Sequence, residues 1–149
     1  MIRNSRIKAA IAAVTILGAT GAALLVPASP AVAFSSGGLV LDVAIQSPAH
    51  LLANGAAIAQ PVQYTCFGTN NAQVEVSVTE RVSGGAIATG NGILSNPVCT
   101  GEIQTTKIDI VASGARAFTK GSAFATASIF GCANFCGNET DNRTIAIQR

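Results

Sequence analysis

Val74-Glu75-Val76-Ser77-Val78-Thr79 alternates apolar and polar residues without a break. A strand can use that period, because successive side chains leave it on opposite faces, whereas a helix cannot. One dry face and one wet face is the pattern of an antiparallel sheet. The same period returns along the chain. Leu39, Leu41, Val43 and Ile45 share one face of a strand over 39–45. Val62, Tyr64 and Cys66 do so within 56–67, and Ile108 and Ile110 oppose Lys107 and Asp109 within 104–111. A run over 122–130 alternates Ala123, Ala125, Ala127 and Ile129 with Phe124, Thr126, Ser128 and Phe130, so that either face can be the inner one. A weaker strand is expected over 86–89 and a last one over 144–148. Turn formers separate these runs: Ser47-Pro48, Asn54-Gly55, Thr69-Asn70-Asn71, Ser83-Gly84-Gly85, Gly90-Asn91-Gly92, Ser113-Gly114 and the polar stretch 137–142. The helical period is absent from 34 onward. The pattern predicts an all-β domain, an antiparallel sandwich of about seven strands, with a barrel as the competing closure.

The N-terminus reads differently. Arg3, Arg6 and Lys8 precede an uncharged, Ala/Ile/Val/Leu-rich stretch from Ala9 to Val26, and Ala31-Val32-Ala33 sets small residues where a signal peptidase needs them. A transmembrane anchor is the rival, since the stretch is near the shortest that spans a bilayer. Its glycines and the cleavage motif that follows favour removal. The expectation is a signal peptide over 1–33, a single domain over 34–149, and export from the cell with no membrane attachment afterwards. Of nine Lys/Arg and seven Asp/Glu, three basic residues leave with the signal, so the excess of positive charge belongs to the targeting segment. Nucleic-acid binding, which needs clustered cations to displace counterions, has no support.

Cys66, Cys99, Cys132 and Cys136 all lie in the mature part. An even count in an exported domain reads as two disulfides. Of three connectivities, Cys66–Cys99 with Cys132–Cys136 is the expected one: the close pair pinches a turn and the distant pair ties two strands together. A zinc site would want paired ligand knuckles, and the only histidine is His50, so neither metal nor another cofactor is expected.

The succession PVQYTC, VEVSVTERVSGGAIATGNG, CTGEIQTTKIDI and GSAFATASIFGC, followed by a nearby cysteine, resembles small secreted proteins of actinobacteria with an immunoglobulin-like β-sandwich. The resemblance covers about 51–149 and implies a fold and a compartment but no functional residues. In architecture the chain is also similar to the neocarzinostatin-type apoproteins, seven-stranded sandwiches with two disulfides that hold an apolar chromophore in a cleft. It is more distantly similar to the subtilisin inhibitors of Streptomyces, which contain helices absent here.

Catalysis needs converging groups. His50 follows Ser47-Pro48 in an expected loop with no nucleophile or orienting acid nearby, and Glu75, Glu80, Glu102 and Asp109 are assigned to exposed strand faces. Glu139-Thr140-Asp141-Asn142 lacks the calcium-loop spacing and reads as a polar turn. The chain is therefore not expected to be an enzyme. Sugar binding on aromatic platforms is disfavoured, because there is no Trp and the one Tyr alternates inward. Phe67, Phe118, Phe124 and Phe130 are assigned mainly to the core. Phe135, between two cysteines, has little room to turn inward; capping one end of the sandwich is its first expected job and anchoring a partner or lining a cleft the second, which makes Asn134 and Phe135 the candidate binding loop. Two roles remain open: a binding or structural module for an extracellular protein or cell surface, protease inhibition included, and a carrier of a small apolar ligand. Protein recovered from culture medium should begin at Phe34. N-terminal sequencing that finds residues 1–33 retained would reverse the export reading.

Overall fold

The computed structural model describes residues 38–149; the signal-peptide reading lies outside them. Eight strands follow one another: β1 (Val40–Ile45), β2 (Ala49–Leu52), β3 (Ala57–Phe67), β4 (Gln73–Arg81), β5 (Ile87–Ser95), β6 (Gln104–Ala112), β7 (Gly121–Cys132) and β8 (Cys136–Gln148). The domain is all-β, as the period-2 pattern predicts. Inward positions are apolar and nearly solvent-free: Val43 and Ile45 on β1, Val62 and Tyr64 on β3, Val74, Val76 and Val78 on β4, Ile108 and Ile110 on β6, and Ile145 and Ile147 on β8. Ala123, Ala125, Ala127 and Ile129 settle the inner face of β7. Its alanines leave room for the opposing strands to approach closely.

The strands do not stop at two open layers. β7 pairs with β4 and β8, β4 with β5, and β3 with β6, all antiparallel over long registers. Two short seams join these broad ladders. Gly90 and Asn91 pair with Ala112 and Val111, linking β5 to β6. Ala49 and His50 run parallel to Ile147 and Gln148, linking β2 to β8. The order β2-β3-β6-β5-β4-β7-β8 thus returns to β2 as a closed ring of seven strands, with β1 on β3. The expected open sandwich is corrected to a barrel closed along two narrow lines. The physical reason is the edge: an unpaired strand exposes a row of donors and acceptors, and closure satisfies them.

Gly90-Asn91-Gly92 is not a turn. β5 runs straight through it in continuous register with β4, and the residues are glycine because a Cβ at Gly90 would strike the Val111 carbonyl oxygen and one at Gly92 would press on Asp109 O and Ile108 Cγ2. Glycine here marks the crossing of β6 over β5. Stretch 137–142 is likewise strand, since β8 starts at Cys136 and pairs with β7 residue for residue. Its side chains are polar because this half of β8 is mostly exposed, although the facing Ala127 and Ile129 of β7 are core. His50 sits in β2 opposite Ala59, half-buried, rather than in a loop.

Where β1 runs beside β8 without a ladder, side chains make the link. Asp141 Oδ2 accepts the Ile45 N–H (2.7 Å) and pairs with Arg143 Nη2 (2.7 Å), and Ser47 Oγ accepts the Ala146 N–H (3.1 Å). One end of the barrel is plugged by Phe118, 2 % exposed, whose N–H donates to Gly55 O (2.8 Å). Glu80 anchors the next residue: it accepts the Thr119 N–H (2.8 Å) and hydroxyl (2.7 Å). Its assignment to an exposed face is corrected, because the inward series of Val74, Val76 and Val78 runs on to Glu80, which is 1 % exposed. A buried carboxylate is tolerated when its oxygens are bonded.

The crossing gives a sharp test. Gly90→Ala should lower unfolding stability by about 1–3 kcal/mol through overpacking against β6, while Asn91→Ala, on the exposed side of the same strand, should change it by no more than about 0.5 kcal/mol. Denaturant titration of the two variants measures both, and equal effects would refute the close approach.

Candidate binding surface

Three connections meet where β3, β5 and β7 end: 68–72, 96–103 and 133–135. Loops at one end of a rigid barrel are where binding groups usually lie. These loops are held unusually firmly. Both disulfides are at this end and pair as expected, Cys66 with Cys99 (Cα–Cα 4.6 Å) and Cys132 with Cys136 (Cα–Cα 4.0 Å). No described cysteine is free. Gly101 N–H donates to Cys66 O (2.9 Å), Asn96 N–H to Ala72 O (3.2 Å), and Thr69 Oγ1 to Cys132 O (2.8 Å). The last bond fastens the first connection to the third, so each loop is tied either to a neighbour or to a strand end.

Cys132 and Cys136 are the final facing pair of the β7–β8 ladder, and their bridge staples the hairpin tip. Inside it, the Ala133 N–H donates to Phe135 O (2.9 Å). Asn134 and Phe135 are both exposed on this tip, where the spacing of the cysteines places them. Phe135 also lines a surface groove of about 340 Å3 with Leu39, Leu41 and Gly137. Gly137 leaves that groove open: a Cβ there would lie 3.0 Å from Leu39 Cδ2.

Further apolar residues at this end escape a sequence reading. Val98 and Ile103 are among the most exposed large apolar side chains of the domain, and both lie in the 96–103 loop. The signal was available but weak: each is an isolated hydrophobe in a Gly/Pro-containing stretch with no alternation to place it inward. Three phenylalanines assigned to the core are corrected. Phe124 (53 %), Phe130 (46 %) and Phe67 (40 %) face outward, because Ala123, Ala125 and Ala127 claim the inner face of β7 and Cys66 that of β3. Only Phe118 of that group is core.

The carboxylates do not converge. Glu80 serves Thr119 at the plugged end, Asp141 serves Ile45 and Arg143 at the β1–β8 junction, and no three described His, Cys, Asp or Glu side chains gather as a metal-binding group. Among the described residues no helix is long and apolar enough to cross a membrane. Comparison with known proteins finds no matching family model and no matching curated protein.

The two bridges should differ in what they stabilise. Cys66–Cys99 spans a separation of 33 residues and Cys132–Cys136 one of 4. In the chain-entropy model these loop lengths correspond to about 3–4 and about 2 kcal/mol. Replacing Cys66 and Cys99 with Ala should therefore depress the melting temperature more than replacing Cys132 and Cys136. The second pair should chiefly loosen the Asn134-Phe135 tip, which amide exchange reads directly. A larger thermal loss from the 132/136 pair would overturn this division of roles.

Proposed function

We propose that the protein is a secreted, non-enzymatic binding module that engages an extracellular protein through its disulfide-pinned end. The observation that carries this is the display of Val98, Ile103 and Phe135, three exposed apolar side chains, on loops tied by two disulfides and three backbone-directed hydrogen bonds. All three belong to connections at the same end of the barrel, and exposed apolar side chains on fixed loops are suited to contact with a partner. Loops fixed before contact lose little entropy on binding, so more of the contact energy appears as affinity. The disulfides also support export, since they persist in oxidising compartments.

The immunoglobulin-like reading draws support from the two broad ladders, although their closed edges separate this barrel from an open sandwich. A protease inhibitor would use the same end, with the stapled 133–135 tip offered as a rigid loop. The carrier reading has less support. Inward positions that would line a ligand cleft are filled by Val, Ile and Ala side chains, and the described concavities open on the surface.

Two measurements test the proposal. Native mass spectrometry of protein purified from its producing cells should show the bare polypeptide mass, and a stoichiometric small molecule would instead establish the carrier role. Val98→Ser, Ile103→Ser and Phe135→Ser should keep the melting temperature within a few degrees. Each should weaken association with the producing organism's extracellular proteins by about tenfold or more, as loss of an apolar anchor does. Association that survives all three substitutions would move the binding site elsewhere.

A further inference from the structure

The outer face of the β8-β7-β4-β5 ladder has a composition that folding does not explain. Every second residue of 138–144, 124–130, 73–79 and 89–95 points outward, and the registers set them in four straight cross-strand rows. Apart from Phe124, Phe130, Ile93 and Glu75, each of these residues is Ser, Thr, Asn or Gln. Solubility alone is ordinarily served by mixed Lys and Glu, yet within these four rows the one charge is Glu75, and Arg81 follows at the end of β4. Strands repeat about every 4.8 Å across the face and side chains about every 6.8 Å along it, so the hydroxyls and amides form a two-dimensional array. Hydroxyls both donate and accept, and amides offer both kinds of group side by side. Thr126 Oγ1 already donates to Asn142 Oδ1 across the β7–β8 pair (2.7 Å), which orients both groups.

The outward phenylalanines supply the aromatic platforms that the lack of Trp and the inward Tyr64 counted against. Phe124 and Phe130 stand on one strand of this face, six residues and roughly 20 Å apart, and both are about half exposed. At the Phe130 end the face runs into a concavity of about 360 Å3, whose polar lining is Asn71, Gln73, Ser95 and Asn96. Its shape is fixed by Asn96, which takes a left-handed conformation (φ 54°) while its N–H donates to Ala72 O. A concave place with an apolar wall and a few converging polar groups is the general form of a small-ligand subsite.

We infer that this face binds a neutral, hydroxyl-rich polymer, an extended polysaccharide, with Phe124 and Phe130 as stacking platforms and the concavity beside Phe130 as the deepest subsite. Scarcity of charge suits an uncharged ligand, because Glu75 is the one ion that contact with these rows would desolvate. Sugar rings present hydroxyls at their edges and C–H groups on their faces, matching amide-hydroxyl rows and phenyl rings respectively. The rows between Phe124 and Phe130 lie along the side of the barrel, while the concavity beside Phe130 borders the disulfide-pinned end through Asn71 and Asn96; the Phe124 and Phe135 substitutions therefore separate the two readings.

The test is depletion of the purified protein from solution by microcrystalline cellulose, insoluble β-1,3-glucan and starch granules, at low and high salt. At least one polymer should retain the protein equally at both, since an uncharged polymer offers Glu75 and Arg81 no partner whose attraction salt could screen. Phe124→Ser and Phe130→Ser should each cut the retained affinity about tenfold with unchanged melting temperature, and Phe135→Ser should leave it intact. Retention by none of the polymers, release by high salt, or indifference to the Phe124 and Phe130 substitutions would overturn the inference. So would growth-shaping of ice crystals without polymer binding, because it would assign the same regular array to ordered water.

Discussion

β6 passes so close over β5 that no side chain fits between them at Gly90 and Gly92, and this constraint organises much of the molecule. The approach lets Gly90 and Asn91 pair with Ala112 and Val111, so that two broad ladders are joined rather than left edge to edge. It also fixes where β5 ends and β6 begins, and hence the course of the 96–103 loop. That loop must bring Cys99 to Cys66 on the neighbouring β3. A bulkier residue at either glycine would displace the seam and the loop together, since close-packed interiors transmit such shifts instead of absorbing them.

The strand pattern was largely legible from the residues. Alternation located β1, β3, β4, β6 and β7, and the cysteine spacing gave both bridges. What escaped shares one cause: local sequence does not say what lies across the sheet. Gly90-Asn91-Gly92 carries a turn signature, and only the neighbouring backbone shows that the glycines serve a crossing. The polar stretch 137–142 reads as loop because its outward and inward positions are both hydrophilic, yet twelve facing pairs from Gly121–Ile147 to Cys132–Cys136 hold it as strand. Glu80 was within reach, since its parity matches Val74, Val76 and Val78. The general expectation that carboxylates face water outweighed that local evidence.

The surface was harder to read than the interior. Asn134 and Phe135 followed from the cysteine spacing alone, a covalent constraint that sequence states outright. Phe124 and Phe130 did not, because a run alternating alanine with phenylalanine leaves both faces chemically plausible. Burying the small residue and exposing the large one is the less common choice. It becomes understandable only with the opposite wall in place: β7 lies between β4 and β8 and faces strands whose Val and Ile side chains already fill the interior.

The parallel seam between β2 and β8 has a consequence for how the chain is made. It joins Ala49 and His50, early in the described chain, to Ile147 and Gln148, the last strand residues before its end. A polypeptide emerging from the ribosome N-terminus first cannot close this ring until β8 has been made, about a hundred residues after β2. Folding dominated by such distant pairings is slow, as the entropy of closing long loops must be met before their contacts form. Until β8 joins, the facing edges of β2 and β7 stay unpaired and the ring remains open.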